Sequence, residues 1–143
     1  MKLMTDNDCL EFIEGVSPED LAETEHKLNA ATSSPEPGWL AEGLRRGYHR
    51  ITSMSNKGQP LYRYVWHVND QNLLYVNGSQ FIGQPGQNDD WLWMMGVEML
   101  ARANKCRGIL FRSQRLGHLV QGKNAGFKVT GVEMIKTLEH APV

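Results

Sequence analysis

The order of segments in the middle of the chain limits the possible fold more than any other feature. Three stretches rich in aromatic and β-branched residues (48–54, 60–68 and 72–76) are separated by two short polar connections. Connections of this length join antiparallel neighbours, so the stretches predict a three-stranded meander. In the middle stretch, large apolar side chains occupy both odd and even positions, which predicts a central strand covered on both faces.

A long apolar helix is predicted next, over residues 89–105. Its polar positions form one narrow stripe that includes a favourable i,i+4 pair, Glu98 and Arg102. A helix this apolar covers a sheet and leaves further apolar surface. The short apolar segment Gly108–Phe111 then predicts a buried strand. Because a strand–helix–strand crossover joins parallel strands, we expect this segment to lie parallel to residues 72–76.

Helices are also predicted before and after this central region. Ser17 and Pro18 have the form of a helix start, with an N-cap and a proline at the first position, and that helix should run to about residue 31. A turn-rich linker and a short helix, Trp39–Arg46, follow. Near the C-terminus, the pattern predicts a helix over 116–124, a C-cap at Gly126 and a final strand region over 127–138.

The dipeptide Asn77-Gly78 has two interpretations. It is a strong hairpin signal, which would fold residues 79–82 back onto 73–76. Alternatively, it marks a bulge or the end of one strand. With this point open, the element order predicts an α/β fold in a single domain over residues 1–143. Its mixed sheet combines an antiparallel meander with a parallel strand pair, and helices cover both faces.

Composition excludes several function classes. The formal charge of −1, from 15 basic and 16 acidic residues, argues against general binding to nucleic acid or a membrane surface. A local basic patch of Arg112, Arg115 and Lys123 stays open. No apolar run approaches the ~20 residues of a membrane span, and the first residues lack the apolar stretch of a secretory signal. We therefore expect a cytoplasmic protein in which Cys9 and Cys106 are ordinary thiols.

The predicted element order, with the tail Lys123-Asn124-Ala125-Gly126-Phe127, resembles the GNAT acyltransferase superfamily. Its members commonly end with a helix, a Gly-Phe pair and a last strand, and the resemblance covers roughly residues 48–138. Residues 76–80 (Val-Asn-Gly-Ser-Gln), with His118, Lys123 and Gly126, are further similar to GNAT-like internal virion or assembly proteins of short-tailed phages.

The resemblance implies acetyl-CoA as cofactor, held where a glycine-rich turn enters a helix. The family pattern is Gln or Arg, two residues, Gly, one residue, then Gly or Ala. In the best register, Gly83 stands at the first position, Gly86 matches and Asn88 replaces the small residue. The candidate cofactor-binding residues are therefore Val76, Gly83, Gly86, Gln87 and Asn88.

Two acidic residues at the start of the same helix oppose this assignment. Asp89 and Asp90 suit a helix N-terminus but compete there with a phosphate for the positive end of the helix dipole. A capped helix after a proline-glycine turn accounts for the same residues. We therefore expect acetyl-CoA to bind weakly if it binds at all.

Candidate catalytic residues are scarce. In GNAT enzymes, a tyrosine before the Gly-Phe pair protonates the leaving thiolate, and Gly122 stands at that position here. His118, one turn earlier, is the remaining candidate for that proton transfer. His49 and His67 fall on predicted strands, but their spacing does not indicate a metal site, so we expect both to be structural.

Two functions follow from these observations, and binding of some other small molecule is a third possibility. The first is a non-catalytic interaction protein, in phage particle assembly for example, because the GNAT motifs are eroded. The second is an acetyl-CoA-dependent N-acyltransferase, in which backbone donors polarise a thioester between strands that diverge near Val76 and Ile109. Trp91, Trp93 and Met94 exceed what a sheet-covering helix needs, so we expect a protein partner or a homo-oligomer.

Overall fold

A computed structural model of the protein describes residues 1–29, 36–111, 123–124 and 126–128. The chain divides into two compact units, Met1–Arg112 and Ser113–Val143, and the elements described below belong to the first. The predicted C-terminal helix and strand, together with Gly122, fall almost wholly outside the described residues. Gly126, which is among the described residues, has a φ of 90°, as expected of a helix C-cap. That residues 1–143 form one domain stays a prediction.

The described residues form six strands and three helices, whose bounds are as follows. In chain order they are β1 Lys2–Met4, β2 Cys9–Glu14, α1 Pro18–Asn29, α2 Trp39–Arg46, β3 Arg50–Asn56, β4 Gln59–Val68, β5 Leu73–Phe81, α3 Asp90–Ala103 and β6 Gly108–Phe111. The four predicted strands and three predicted helices of this region are all present. The N-terminal hairpin of β1 and β2 was not predicted.

All six strands belong to one sheet, in the order β1-β2-β3-β4-β5-β6. Neighbours from β1 to β5 pair antiparallel. The final pair, β5 and β6, is parallel, with a register that runs from Leu73–Gly108 to Val76–Phe111. The predicted meander, parallel pair and α/β fold class are therefore confirmed.

The larger core lies between the sheet and α3. Tyr62, Tyr64 and Trp66 point to this face of β4 and are almost completely buried. The hydroxyl of Tyr64 donates to the carbonyl of Trp93 at 3.0 Å, which satisfies the one polar atom of a buried ring. Burial raises the pKa of Tyr64, so the hydroxyl stays protonated and remains a donor. Gly96 of α3 lies directly against this hydroxyl.

The opposite face of the sheet holds α1 through a buried arginine. The Arg63 side chain, on β4, donates to Thr24 Oγ1 of α1 at 3.1 Å and lies 3.5 Å from Asp20. Thr24 also donates to Gln80 Oε1 of β5 at 2.8 Å. These bonds tie one helix to two strands and satisfy the buried guanidinium. A smaller apolar cluster next to them contains Leu28, Leu40, Ile51 and Val65.

The structure decides between the two interpretations of Asn77-Gly78. Strand β5 continues through both residues to Phe81, so the hairpin interpretation is wrong. The register with β4 shifts from Trp66–Val76 to Val65–Gly78, which leaves Asn77 as the extra residue of a β-bulge. Glycine at position 78 permits close packing of α1, since a Cβ there would stand 2.6 Å from a methyl carbon of Leu28.

The N-terminal hairpin was missed because its strands are short and lie at the edge of the sheet. Cys9–Glu14 alternates as a half-buried strand should, with Leu10 and Phe12 buried in the larger core. Six residues of alternation, with a cysteine and two glutamates, give a weak signal in isolation. Pairing with β3 supplies the rest of the stability.

We expect Gly96→Ala to destabilise the protein by about 1–3 kcal/mol. Alanine ordinarily stabilises a helix interior by about 1 kcal/mol relative to glycine. At this position, however, the added methyl would stand 2.3 Å from the Tyr64 hydroxyl and 2.8 Å from Met54 Sδ. Denaturant unfolding measures the change, with Glu98→Ala on the exposed face of α3 as the control. An alanine variant more stable than the wild type would show that α3 does not pack this closely on Tyr64.

Candidate functional site

The first feature of the candidate site is an edge of β5 that extends beyond the described part of its neighbour. The described pairs with β6 run as far as Val76 and Phe111, the last residue before the gap at 112–122, whereas pairing with β4 continues to Phe81. Among the described residues, positions 77–81 therefore pair on one side only. The N–H of Ile82 donates to the carbonyl of Leu61, across β4, at 2.8 Å. Because hydrogen-bonding direction alternates along an antiparallel strand, the N–H groups of Ser79 and Phe81 face away from β4.

The second feature is a cluster of aromatic and imidazole rings on the face of the sheet that carries α1 and α2, next to Val76 and Asn77. The ring of His67, on β4, stacks on Tyr75 of β5 at a centroid distance of 5.0 Å and an interplanar angle of 16°. Its Nδ1 lies 2.8 Å from Oδ1 of Asn77, the bulge residue. Since an amide oxygen only accepts, this bond places the proton of His67 on Nδ1. The lone pair of the imidazole is then on Nε2.

His49, which precedes β3, extends the cluster toward α2. Its ring centroid is 6.0 Å from that of His67 and 5.7 Å from that of Trp39. Burial lowers the pKa of His49, the nearby His67 lowers it further, and the Asn77 amide opposes these effects. Its Nδ1 is buried and has no hydrogen-bond partner among the described residues. A neutral His49 is therefore the stable form in this environment.

Two open cavities flank His49. One, of about 510 Å³, has aromatic and charged walls that include Trp39, Tyr48 and Glu42. The other, of about 320 Å³, is lined by Val16, Leu21 and Ile51 among others. Glu42 is engaged by Arg45 and Arg46, whose hydrogen bonds lower its pKa. The His49 end of the ring cluster therefore borders both cavities.

The third feature is the N-terminus of α3, which already holds a carboxylate. Asp89 is the N-cap, and its side chain accepts the N–H groups of Trp91 at 2.9 Å and Leu92 at 3.2 Å. Asp90 adds a second negative charge in the first turn. The capped helix considered above is therefore the arrangement found. Two N–H groups that a phosphate would need are occupied by the chain itself.

The predicted cofactor residues fall in the turn before this helix, except Val76, which ends the pairing with β6. Gly86 adopts a φ of 85°, and the N–H of Gln87 donates to the carbonyl of Gln84 at 3.1 Å. The Asn88 side chain accepts from the Tyr62 hydroxyl, which in turn accepts the N–H of Asp89 at 2.9 Å. A Cβ at Gly83 would stand 2.8 Å from the Phe81 ring. These contacts build a fixed turn and do not fit the pyrophosphate of CoA.

Sequence reasoning assigned His67 a structural role and did not connect it with Asn77, although the structure brings the two side chains together. The predicted strand ended at Val76, so Asn77 was not assigned to either face of the sheet. Pairing β4 with β5 across the connection 69–72 would have placed Tyr75 opposite His67, and Asn77 two residues further on the same face. Conversely, the predicted catalytic His118 lies outside the described residues, and its role stays a prediction.

Comparison with known proteins places the fold. The sequence matches no protein-family model and no curated protein sequence. Solved structures do match. A putative acetyl transferase from Pyrococcus furiosus has a TM-score of 0.61 at 11% identity, over 90% of this chain and 99% of that one. The ribosomal-protein-alanine N-acetyltransferase from Brucella melitensis has a TM-score of 0.58 at 7% identity, over 92% and 99%.

A third similar structure contains a ligand. AAC(6')-Iy, in complex with the bisubstrate analogue CoA-S-monomethyl-acetylneamine, has a TM-score of 0.57 at 10% identity, over 92% of this chain and 99% of that one. Identities this low establish the fold alone. No described helix is long and apolar enough to cross a membrane. The chain therefore has the fold of the GNAT acetyltransferases, while its similarity to phage proteins stays a prediction.

We expect weak or undetectable binding of acetyl-CoA, and tighter binding after Asp89→Asn combined with Asp90→Asn. Each charge at a helix N-terminus changes binding by ~0.3–1 kcal/mol, so removing both strengthens binding by up to about thirtyfold. Asparagine caps a helix as well as aspartate does, so α3 should remain formed. Calorimetric titration measures the affinity, with Glu98→Gln on the same helix as the control. Micromolar binding by the wild type, or no change in the double variant, would contradict this electrostatic account.

Proposed function

We propose that the chain transfers an acyl group from a thioester to an amine at the edge of β5 that faces away from β4. The observation that carries this proposal is that β5 continues to Phe81 beyond Val76, its last residue with a described pair in β6, in a fold shared with acetyltransferases. Acyl transfer from a thioester requires a donor group directed at the carbonyl oxygen, where negative charge develops. The N–H groups of Ser79 and Phe81 are such donors.

In the proposed site, backbone groups rather than side chains stabilise the negative charge on the thioester carbonyl oxygen. Backbone N–H groups in a strand are held rigidly by the sheet, so they stabilise a developing oxyanion without reorganisation. The indole N–H of Trp93 donates to Ser79 Oγ at 2.9 Å and anchors α3 to this part of β5. This contact supports the strand where the proposed donors lie.

The proposed acyl donor is a thioester whose binding does not depend on phosphate contacts at the N-terminus of α3. The contacts of Asp89 argue against the nucleotide end of CoA binding there, but they do not affect the thioester end. The acceptor is proposed as a primary amine, since the names of two similar structures contain ribosomal-protein alanine and an acetylated aminoglycoside, neamine.

Thiol release tests the proposal. The purified chain is incubated with acetyl-CoA or with S-acetyl-N-acetylcysteamine, plus an aminoglycoside or a peptide with an N-terminal alanine. We expect thiol release that depends on the amine, with acetylated product seen by mass spectrometry. Amine-independent release, or none from either thioester, would contradict the proposal.

A matched pair at position 79 tests the role of the backbone. Ser79→Pro removes the N–H that faces away from β4, where proline breaks no described pairing. Ser79→Ala removes only the hydroxyl and keeps the N–H. We expect proline to lower kcat by about 100-fold or more and alanine to have a much smaller effect. Circular dichroism checks that both variants fold. Equal activities of the proline and alanine variants would show that the thioester carbonyl does not bind at the N–H of Ser79.

A second candidate function is that of a non-catalytic interaction protein, such as a phage assembly protein. Two observations favour it: the α3 N-terminus is occupied by Asp89, and Trp91 beside it is 71% exposed. Trp93 and Met94 were also expected to be exposed, but Trp93 is half-buried and Met94 is buried. Of these three residues, Trp91 alone is exposed. Exposed tryptophans are enriched at protein interfaces.

Sedimentation tests this candidate with a second copy of the chain as the first partner considered. If Trp91 anchors a homo-oligomer, Trp91→Ser should weaken self-association by about 2 kcal/mol, or roughly 30-fold. Val68→Ser, also at an exposed apolar position, is the control. If the wild type is monomeric at all concentrations, this surface does not mediate self-association.

A further inference from the structure

We propose that His67 is the general base that accepts the proton of the acceptor amine, and that Asn77 is the residue that positions it. This inference rests on the proposed acyl transfer and names the group that performs its proton transfer. It starts from a residue pair that no sequence motif indicated. The side chains come from neighbouring strands, β4 and β5, and meet one residue beyond Val76, the last residue of β5 with a described pair in β6.

The hydrogen bond sets the chemical state of the imidazole. Asn77 Oδ1 accepts from Nδ1 of His67 at 2.8 Å, so the neutral ring has its lone pair on Nε2. Stacking on Tyr75 fixes the plane of the ring at the same time. A tautomer and a ring plane that are both set by neighbours suit a general base, whose lone pair must be directed at the proton that it accepts.

The position of the pair links it to the edge of β5 that faces away from β4. Asn77 is the first residue of β5 beyond the last described pair with β6, and Ser79 follows two residues later along the same strand. His67 is half-buried, as are Tyr75 and Asn77. The base and the proposed N–H donors therefore come from one short segment of sheet, with the base on the α1 and α2 face.

The neighbours of His67 bring no fixed charge close to the ring among the described contacts. They are Tyr75, Asn77 and His49, whose own pKa is lowered by burial. The charged side chains in the cavity beyond His49 are Glu36, Glu42 and Arg46. Two carboxylates and one guanidinium give this cavity a net negative lining, which favours an acceptor ammonium group on the side of the sheet that carries His67.

The proposed step balances in atoms and charge. The acceptor ammonium gives one proton to His67 Nε2, and the resulting neutral amine attacks the thioester carbonyl. The C–N bond forms and the C–S bond breaks, so the thiolate leaves. The nitrogen then loses its second proton, the thiolate gains one, and His67 returns its proton to solvent. The net products are an amide, a thiol and one released proton.

Substitution with chemical rescue tests the base. We expect His67→Gln and His67→Gly to lower kcat/KM for amine-dependent thiol release by about 100-fold or more. Added imidazole should restore activity to the glycine variant, a response that a purely structural role would not give. His26→Gln, the same change at an exposed position of α1, is the control and should keep wild-type activity.

A spectroscopic readout tests the positioning role separately from activity. Nitrogen-15 NMR of the His67 ring should show a protonated Nδ1 in the neutral wild type, and Asn77→Leu should mix the two tautomers. Asn77→Leu should also lower kcat more than it raises KM.

The outcomes separate the two proposals. If the wild type is active and His67→Gln retains its rate, the base is another group and acyl transfer stands. If Nδ1 is unprotonated in the wild type, the positioning argument is wrong. If the wild type shows no amine-dependent release from either thioester, the proposed function fails, and the inference fails with it.

Discussion

The structure depends on the different extents of pairing on the two sides of β5. On one side, β5 pairs antiparallel with β4 along nearly its whole length, through a bulge at Asn77. On the other side, its described pairs with β6 form a short parallel stretch from Leu73 to Val76. Beyond Val76, the edge of β5 that faces away from β4 carries regularly spaced N–H groups that no described strand pairs. The position of the candidate site follows from this difference.

Two packing arrangements, one on each face of the sheet, hold β5 in place. On one face, the indole of Trp93 and the backbone of α3 contact Ser79 and Tyr64, and Gly96 permits that close approach. On the other face, Arg63 and Thr24 bind Gln80, and Leu28 packs against Gly78. Cooperation between the two faces explains why β5 continues through Asn77-Gly78, although that dipeptide favours a turn in isolation.

Much of the fold could be predicted because its elements carry local signals. The alternation in β4, the capped start of α1 and the apolar length of α3 each follow from residues close in sequence. The dipeptide Asn77-Gly78 left a bulge and a hairpin as alternatives, and the choice between them depends on the register between strands. The pairing of His67 with Asn77 depends on the same register. The occupied N-terminus of α3 was foreseen because Asp89 acts on its own helix. His118 and the C-terminal elements stay predictions, since they fall mostly outside the described residues.

The central claim is that an acyl thioester contacts β5 between Asn77 and Phe81. Amide NMR during titration with S-acetyl-N-acetylcysteamine tests it most directly, because this probe has a thioester and no phosphate. The account predicts that the largest shift changes occur at the amides of Ser79 and Phe81, with much smaller changes at the start of α3. Changes confined to Trp91 and Leu92, or no saturable change at any amide of β5, would contradict it.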